Sequence, residues 1–307
     1  MQKEVRLMPY RIVKGTVSID GKSPDGDTLA FHINNHEEWI WPRTKDGRFP
    51  KFNSKYQTNI RFEGIDALEL HFTIQNVYPE VTVKQPLELA KQARNRLLNL
   101  CGFDLNNIIE NDEFNINDPD NQQKEVTLAY NGIDQFGRII GFVFTKEMGF
   151  EVSDKKPTIQ LYPEHITESV NAQLLKEGLV YPTYYGGLYP TLRETLTSIA
   201  NEAKQQSIGI WKNNKTEFIF PRKPALSSIE ELVMLPKLFR RLATHLAKNG
   251  AISNFRNALR DSNDLTVDTR DVRLTDFSSF VRTKKINGNE YKLWLSHNPE
   301  ELVFVGK

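Results

Sequence analysis

The feature that most constrains this 307-residue chain is the alternation of apolar and polar residues over its first third, interrupted at regular intervals by turn-forming pairs. Leu29, Phe31 and Ile33 share one face of a strand, with Thr28, Ala30 and His32 on the other. Tyr10 to Ile19 precedes it, and Asp20-Gly21 through Asp25-Gly26 reads as the turn between two strands. A third strand over Thr58 to Ile65 sets Ile60 and Phe62 against Arg61 and Glu63. A long aromatic-rich excursion, Asn34 to Tyr56 with Trp39 and Trp41, separates the second strand from the third.

Helical spacing then takes over. Pro86 opens a helix through Leu100, because proline suits a first turn whose N–H has no partner in any case. Strands over Glu125 to Tyr130 and Arg138 to Thr145 follow. A second helix runs from Ser169 to Gly178, and a third starts at Pro190, with Leu192, Leu196, Ile199, Ala200 and Ala203 along one face. Three strands, a helix, two strands and two helices predict an α+β, mainly β fold: a five-stranded OB-fold barrel capped by three helices. The segment 214–224, with two prolines, reads as a linker between a first domain, 1–213, and a smaller C-terminal α+β region, 225–307. That region is expected to hold a helix capped at Ser227 or Ser228, kinked at Pro236 and ending at Gly250. A further helix over Ser253 to Arg260 and a hairpin at Asn287-Gly288 complete it.

Charge and cysteine content narrow the function. The net charge is only +1, so no overall basic field announces a polyanion. Residues 222–307 carry 15 Lys+Arg against 10 Asp+Glu, the rest 25 against 29, which makes the C-terminal part the better general attractor. A single cysteine, Cys101, excludes an internal disulfide and a multi-cysteine zinc site, and reads as a buried thiol. Neither a signal-peptide core nor a membrane-spanning run is visible, so the expected setting is cytoplasmic, or export by a route that leaves no mark in the sequence, without a membrane partner. His32 and His36 lack a helical metalloprotease pattern, and the acidic run Glu110 to Asp120 lacks the central glycine of a calcium loop. On the C-terminal helix, Lys237, Arg241, Thr244, His245 and Lys248 lie opposite Leu238, Phe239, Leu242 and Leu246; they read as a solvated face ahead of a phosphate-holding stripe.

Four local motifs could carry chemistry: Asp25-Gly26-Asp27-Thr28, Arg61 followed by Asp66-Ala67-Leu68-Glu69, Asp134-Gln135-Phe136-Gly137-Arg138, and Gly209-Ile210-Trp211. Asp27 and Asp66 sit at strand edges, where a pair of carboxylates suits a hard cation. Glu69 lies one short turn beyond Asp66, within reach of a neighbouring water. Arg61 and Arg138 lie on strands that could converge on one pocket. Such a set can neutralise a phosphodiester transition state and take a proton from water.

The order and spacing of these motifs, with the helix ends Gln173-Leu174-Leu175-Lys176-Glu177-Gly178 and Ala203-Lys204 to Gly209-Ile210-Trp211, resemble the staphylococcal nuclease family over Met8 to Trp211. The resemblance implies a Ca²⁺-dependent endonuclease, with other divalent ions as alternatives, that cuts single-stranded or flexible DNA or RNA to leave 3′-phosphate ends. It implies Asp27, Asp66 and the Ala67 carbonyl as metal ligands, Glu69 as general base, and Arg61 and Arg138 as phosphate binders. Tyr184, flanked by Tyr181 and Tyr185, falls where the family places a base-stacking tyrosine, although a packed tyrosine loop reads equally well from the residues. Ala67-Leu68 replaces the usual Thr-Pro, and Phe136 replaces a frequent tyrosine. Two alternatives stand beside the nuclease: a non-catalytic single-strand-binding barrel, and a nuclease effector whose C-terminal region regulates it or docks a protein partner.

Overall fold

A computed structural model describes residues 9–33, 49–150, 158–262, 264–270 and 272–305. Trp39, Trp41 and His36 therefore lie outside the described residues. In the barrel, β1 (Tyr10–Ser18), β2 (Thr28–Ile33) and β3 (Gln57–Phe62) form a meander, and β4 (Ile65–Ala67) follows β3 after a tight turn. Next come α1 (Leu87–Leu100), then β5 (Gln123–Ile133) and β6 (Ile139–Phe144). β6 runs parallel to β3, with Ile139 opposite Ile60. β5 is antiparallel to both β6 and β1, so the order β1-β2-β3-β6-β5 returns to β1 and closes a five-stranded barrel. This is the OB-type architecture expected from the order of elements.

The alternation accounts for the barrel's interior. Leu29, Phe31, Ile33, Ile60, Phe62, Leu128 and Phe142 are each no more than 2% exposed. Burying each such side chain stabilises the fold by roughly 1.5–3 kcal/mol relative to leaving it in water. Glu63 departs from the expected pattern. The strand ends at Phe62, and the Glu63-Gly64 turn carries Glu63 inward, to 3% exposure, instead of leaving it beside Arg61.

Two helices cover the barrel, α2 (Val170–Lys176) and, after β7 (Val180–Pro182) and β8 (Tyr184–Tyr185), α3 (Pro190–Gln205). Their ends lock together at the Gly-Ile-Trp motif. Gly209 has a φ of +56° and its backbone lies so close to the Gly178 carbonyl that a Cβ would stand 2.1 Å from that oxygen, while the Ile210 N–H donates to it at 2.8 Å. Only glycine meets both demands.

The C-terminal part differs from its expected form. The stretch read as a linker contains β9 (Glu217–Pro221), which pairs with a later strand, Phe218 opposite Leu293. The single kinked helix is instead a short turn at Ser227–Glu230 and a separate α4 (Pro236–Ala247). Proline at the first position of α4 holds Leu235 in an extended conformation, ψ 121°, so the helix cannot continue back through it. Then follow α5 (Phe255–Ser262), β10 (Leu265–Asp268), β11 (Leu274–Asp276), the expected hairpin of β12 (Val281–Asn287) and β13 (Glu290–Leu295), and β14 (Leu302–Phe304).

These elements are built onto the barrel's flank. β14 pairs in parallel with β8, Tyr184 opposite Val303. One apolar cluster joins Leu68, Leu70, Tyr181 and Trp211 from the first part to Leu238, Phe239, Leu242 and Phe255 from the second. Gln85, fully buried, accepts from the Glu69 N–H at 3.3 Å and donates to the Met234 carbonyl at 2.9 Å. No helix among the described residues is long and apolar enough to cross a membrane.

Candidate active site

One end of the barrel gathers most of the sequence-derived candidates. Asp27 sits at the entry to β2, immediately after Gly26. A Cβ on Gly26 would stand 2.8 Å from the Cβ atoms of both Ala67 and Ala93, so glycine lets this turn press between β4 and α1. That approach brings the Asp27 carboxylate to the Ala67 N–H, which donates to Oδ2 at 2.9 Å. Arg61, opposite Thr28 on β3, bridges the two aspartates, with Nη1 to Asp27 Oδ2 at 2.7 Å and Nη2 to Asp66 Oδ1 at 2.5 Å. Asp66 is fully buried and Asp27 is 2% exposed.

Arg138 reaches the same end from the start of β6. Asp134 fixes it: one carboxylate oxygen accepts from the Phe136 and Arg138 N–H groups at 2.9 Å each, the other from Arg138 Nε at 2.6 Å. Its Nη1 lies 3.4 Å from Thr28 Oγ1, beside Asp27. Phe136, 60% exposed, lies against the guanidinium, with the cation 5.6 Å from the ring centre. Glu69 stands just beyond β4, tied through its backbone to Gln85.

The structure adds a residue that sequence reasoning missed. Arg240 of α4 places Nη2 3.0 Å from Asp66 Oδ2 and Nη1 3.3 Å from Asp66 Oδ1, and its Nη1 also pairs with Glu69 Oε1. Its neighbours on the buried side of the helix, Pro236 and Ala243, are small, which leaves room for the guanidinium to pass between α4 and β4. No local sequence signal marks Arg240, because its partners depend on how α4 docks against β4. Of the face expected to be solvated, Lys248 is exposed and Arg241 part-exposed in a bidentate pair with Asp264, but Lys237 is packed, 8% exposed with its ammonium 4.4 Å from the Phe304 ring centre.

The tyrosines divide. Tyr181 and Tyr184, expected among the base-stacking residues, are 1% and 0% exposed; their hydroxyls pair with Asn214 at 2.6 Å and Thr197 at 2.8 Å. Buried on β7 and β8 they offer no ring face to a base, so that expectation is corrected to the packed-loop reading for these two. Tyr185 is half-buried, beside Lys237.

Electrostatics follow from burial. Desolvation opposes the charge on Asp66, but Arg240 and Arg61 outweigh it and hold the carboxyl down at about 2. Glu69 is pushed up to about 7, by burial first and by the neighbouring carboxylates, against the pull of Arg240. Asp25 is likewise raised to about 7 by burial and by Asp27. With all groups ionised, five carboxylates (Asp25, Asp27, Asp66, Glu69, Asp134) face three guanidiniums (Arg61, Arg138, Arg240), an excess of two negative charges.

The donor chemistry is of the kind a hard divalent cation takes: the acidic groups offer only oxygens, they carry excess negative charge, and the buried Asp25 Oδ1 has no hydrogen-bond partner. Among the described residues no group of three or more acidic, histidine or cysteine side chains is placed so as to hold a metal ion, and both Asp66 oxygens are engaged by arginines.

Barrel, capping helices and the carboxylate–arginine cluster make an OB-type domain with a charged site at one barrel end. Residues 110–213, about a third of the chain, match the family model described as staphylococcal nuclease homologue. The matched stretch includes Arg138, β5, β6, α2 and α3, whereas Asp27, Arg61, Asp66, Glu69 and Arg240 lie outside it. No curated protein matches the chain.

Proposed function

We propose that the protein is a nuclease that hydrolyses phosphodiester bonds of DNA or RNA at the barrel end where Asp27, Arg61, Asp66, Glu69 and Arg138 meet. The observation that carries this reading is the joint placement of the Arg61 and Arg138 guanidiniums and a buried carboxylate cluster around one strand end. It is supported by the family match, since staphylococcal nuclease homologues are nucleases or related to nucleic-acid work, generally with Ca²⁺. Asp27, Asp66 and the Ala67 carbonyl are the residues that would hold the cation, which supplies charge neutralisation at the phosphate.

The chain's own residues do the rest. Arg138, steered by Asp134, and Arg61 present paired donors to non-bridging phosphate oxygens, where negative charge grows in the transition state. Glu69 takes the proton from the attacking water; a carboxyl raised towards neutrality is well matched to that role. Exposed Phe136 and half-buried Tyr185 are the rings available for sequence-independent stacking of a single strand.

The test is cleavage of fluorescent single-stranded DNA and RNA with Ca²⁺, Mg²⁺, Mn²⁺ or EDTA. Cation-dependent cutting that EDTA abolishes is the expected result. Binding without cutting under every ion would replace this reading with that of a binding module.

A further inference from the structure

Arg240 stands where the chemistry of the site calls for a metal ion. It contacts both oxygens of Asp66 and, through the same guanidinium, Glu69 Oε1. Calcium binds carboxylate oxygens at about 2.3–2.6 Å and needs free lone pairs directed at it. With Arg61 also on Asp66 Oδ1 at 2.5 Å, the inward-facing lone pairs of Asp66 are already used. A cation bonded to Asp66 would be forced against a like charge little more than 3 Å from the same oxygens, in a buried setting where such repulsion is poorly screened.

The anchoring of α4 does not depend on this ion pair. Leu238, Phe239 and Leu242 are fully buried, and the Gln85 bond to the Met234 carbonyl holds the approach to the helix. The Arg240 side chain itself remains 23% exposed, which leaves it a way to solvent while the helix stays in place.

We infer that Arg240 and a divalent cation are alternative counter-ions of Asp66 and Glu69, so that the C-terminal part of the chain competes with the cation for its ligands and sets the cation concentration at which the site works. The inference rests on the proposed nuclease reading. It makes Arg240 a positioning residue: while it holds Glu69, that carboxylate is paired away from water, and cation binding frees it. Removing the guanidinium should tighten cation binding, because the competitor and its repulsion go together.

The experiment is calorimetric titration of CaCl₂ into the full-length protein, comparing wild type with Arg240→Gln and Arg240→Lys, each checked for folding by thermal unfolding. Arg240→Gln is expected to bind Ca²⁺ at least about tenfold more tightly than wild type. Arg240→Lys, which keeps a charge and loses the two-carboxylate fork, should fall between them. Should Arg240→Gln fail to fold because it strands two buried carboxylates, the lysine variant and the arginine side-chain NMR signals of the wild type carry the test. A Ca²⁺-induced shift of the Arg240 Nε–H resonance is then expected. Equal affinity in all three proteins, or an unmoved Arg240 signal at saturating Ca²⁺, overturns the competition and leaves the cation site standing. No Ca²⁺ binding by any of the proteins overturns the cation site itself, and the inference with it.

Discussion

Arg240 on α4 donates to Asp66 on β4 at 3.0 Å across a sequence separation of 174 residues. A contact of that reach makes the C-terminal part of the chain a wall of the candidate site, and it stands beside an apolar cluster shared by both parts.

The shared cluster predicts the outcome of truncation. A chain ending at Asn213 would expose Leu68, Leu70, Tyr181 and Trp211 and lose the β8–β14 pairing. Such a fragment should show no cooperative thermal transition under conditions where the full chain melts cooperatively. A folded, soluble 1–213 fragment would show that the two parts are independent.

Asn171 predicts a large loss at a position with no part in the chemistry. Fully buried on α2, it accepts from the Val143 N–H at 3.1 Å and donates to the Glu63 and Gly141 carbonyls at 2.9 and 3.2 Å. Asn171→Ala removes the side-chain partner of the Val143 N–H and the Glu63 carbonyl, while the Gly141 carbonyl keeps the Glu63 N–H at 2.9 Å, and should destabilise the protein by about 2–4 kcal/mol in urea unfolding. A cost below about 1 kcal/mol would mean that water replaces the amide.

Glu63 predicts a pH dependence. Its carboxyl is buried, with Oε1 unpartnered, and burial raises it to about 7 despite the opposing pull of Arg61. The ordinary value, 4.5, applies in the unfolded chain. Between 4.5 and 7 the unfolded state therefore holds fewer protons than the folded state, and this group's contribution falls as pH rises through that window. Glu63→Gln should leave stability unchanged near pH 4 and raise it by about 2–3 kcal/mol at pH 8. An equal gain at both pH values would assign the effect to packing instead.

Much of the barrel was legible because its signals are local. Period-two alternation at Leu29, Phe31 and Ile33, and prolines at the starts of α1 and α3, act within a few residues of themselves. The meeting of Asp27, Arg61, Asp66 and Arg138 followed from motif order, since strand edges at one barrel end converge wherever the strands pair in that order. Arg240 was not legible, because its partners are set by how α4 docks, and nothing local marks a charge on the apolar side of a helix as paired. The tyrosines mislead for the same reason: Tyr181 and Tyr184 look available in a Gly-rich segment, but Tyr181 packs into the core shared with the C-terminal part and Tyr184 into the barrel core, with β14 paired alongside it. Glu63 was misplaced by one turn, where Gly64 ended a strand that the alternation alone would have continued.

The most direct test of the central claim is single-turnover cleavage of a single-stranded DNA and an RNA by wild type, Glu69→Gln and Arg138→Ala, with strand binding measured alongside. We predict a fall of roughly 10²–10⁴ in the cleavage rate for Glu69→Gln and about 10²–10³ for Arg138→Ala, with strand binding by Glu69→Gln preserved. Cleavage by Glu69→Gln at the wild-type rate would contradict the assignment of this barrel end as the hydrolytic site.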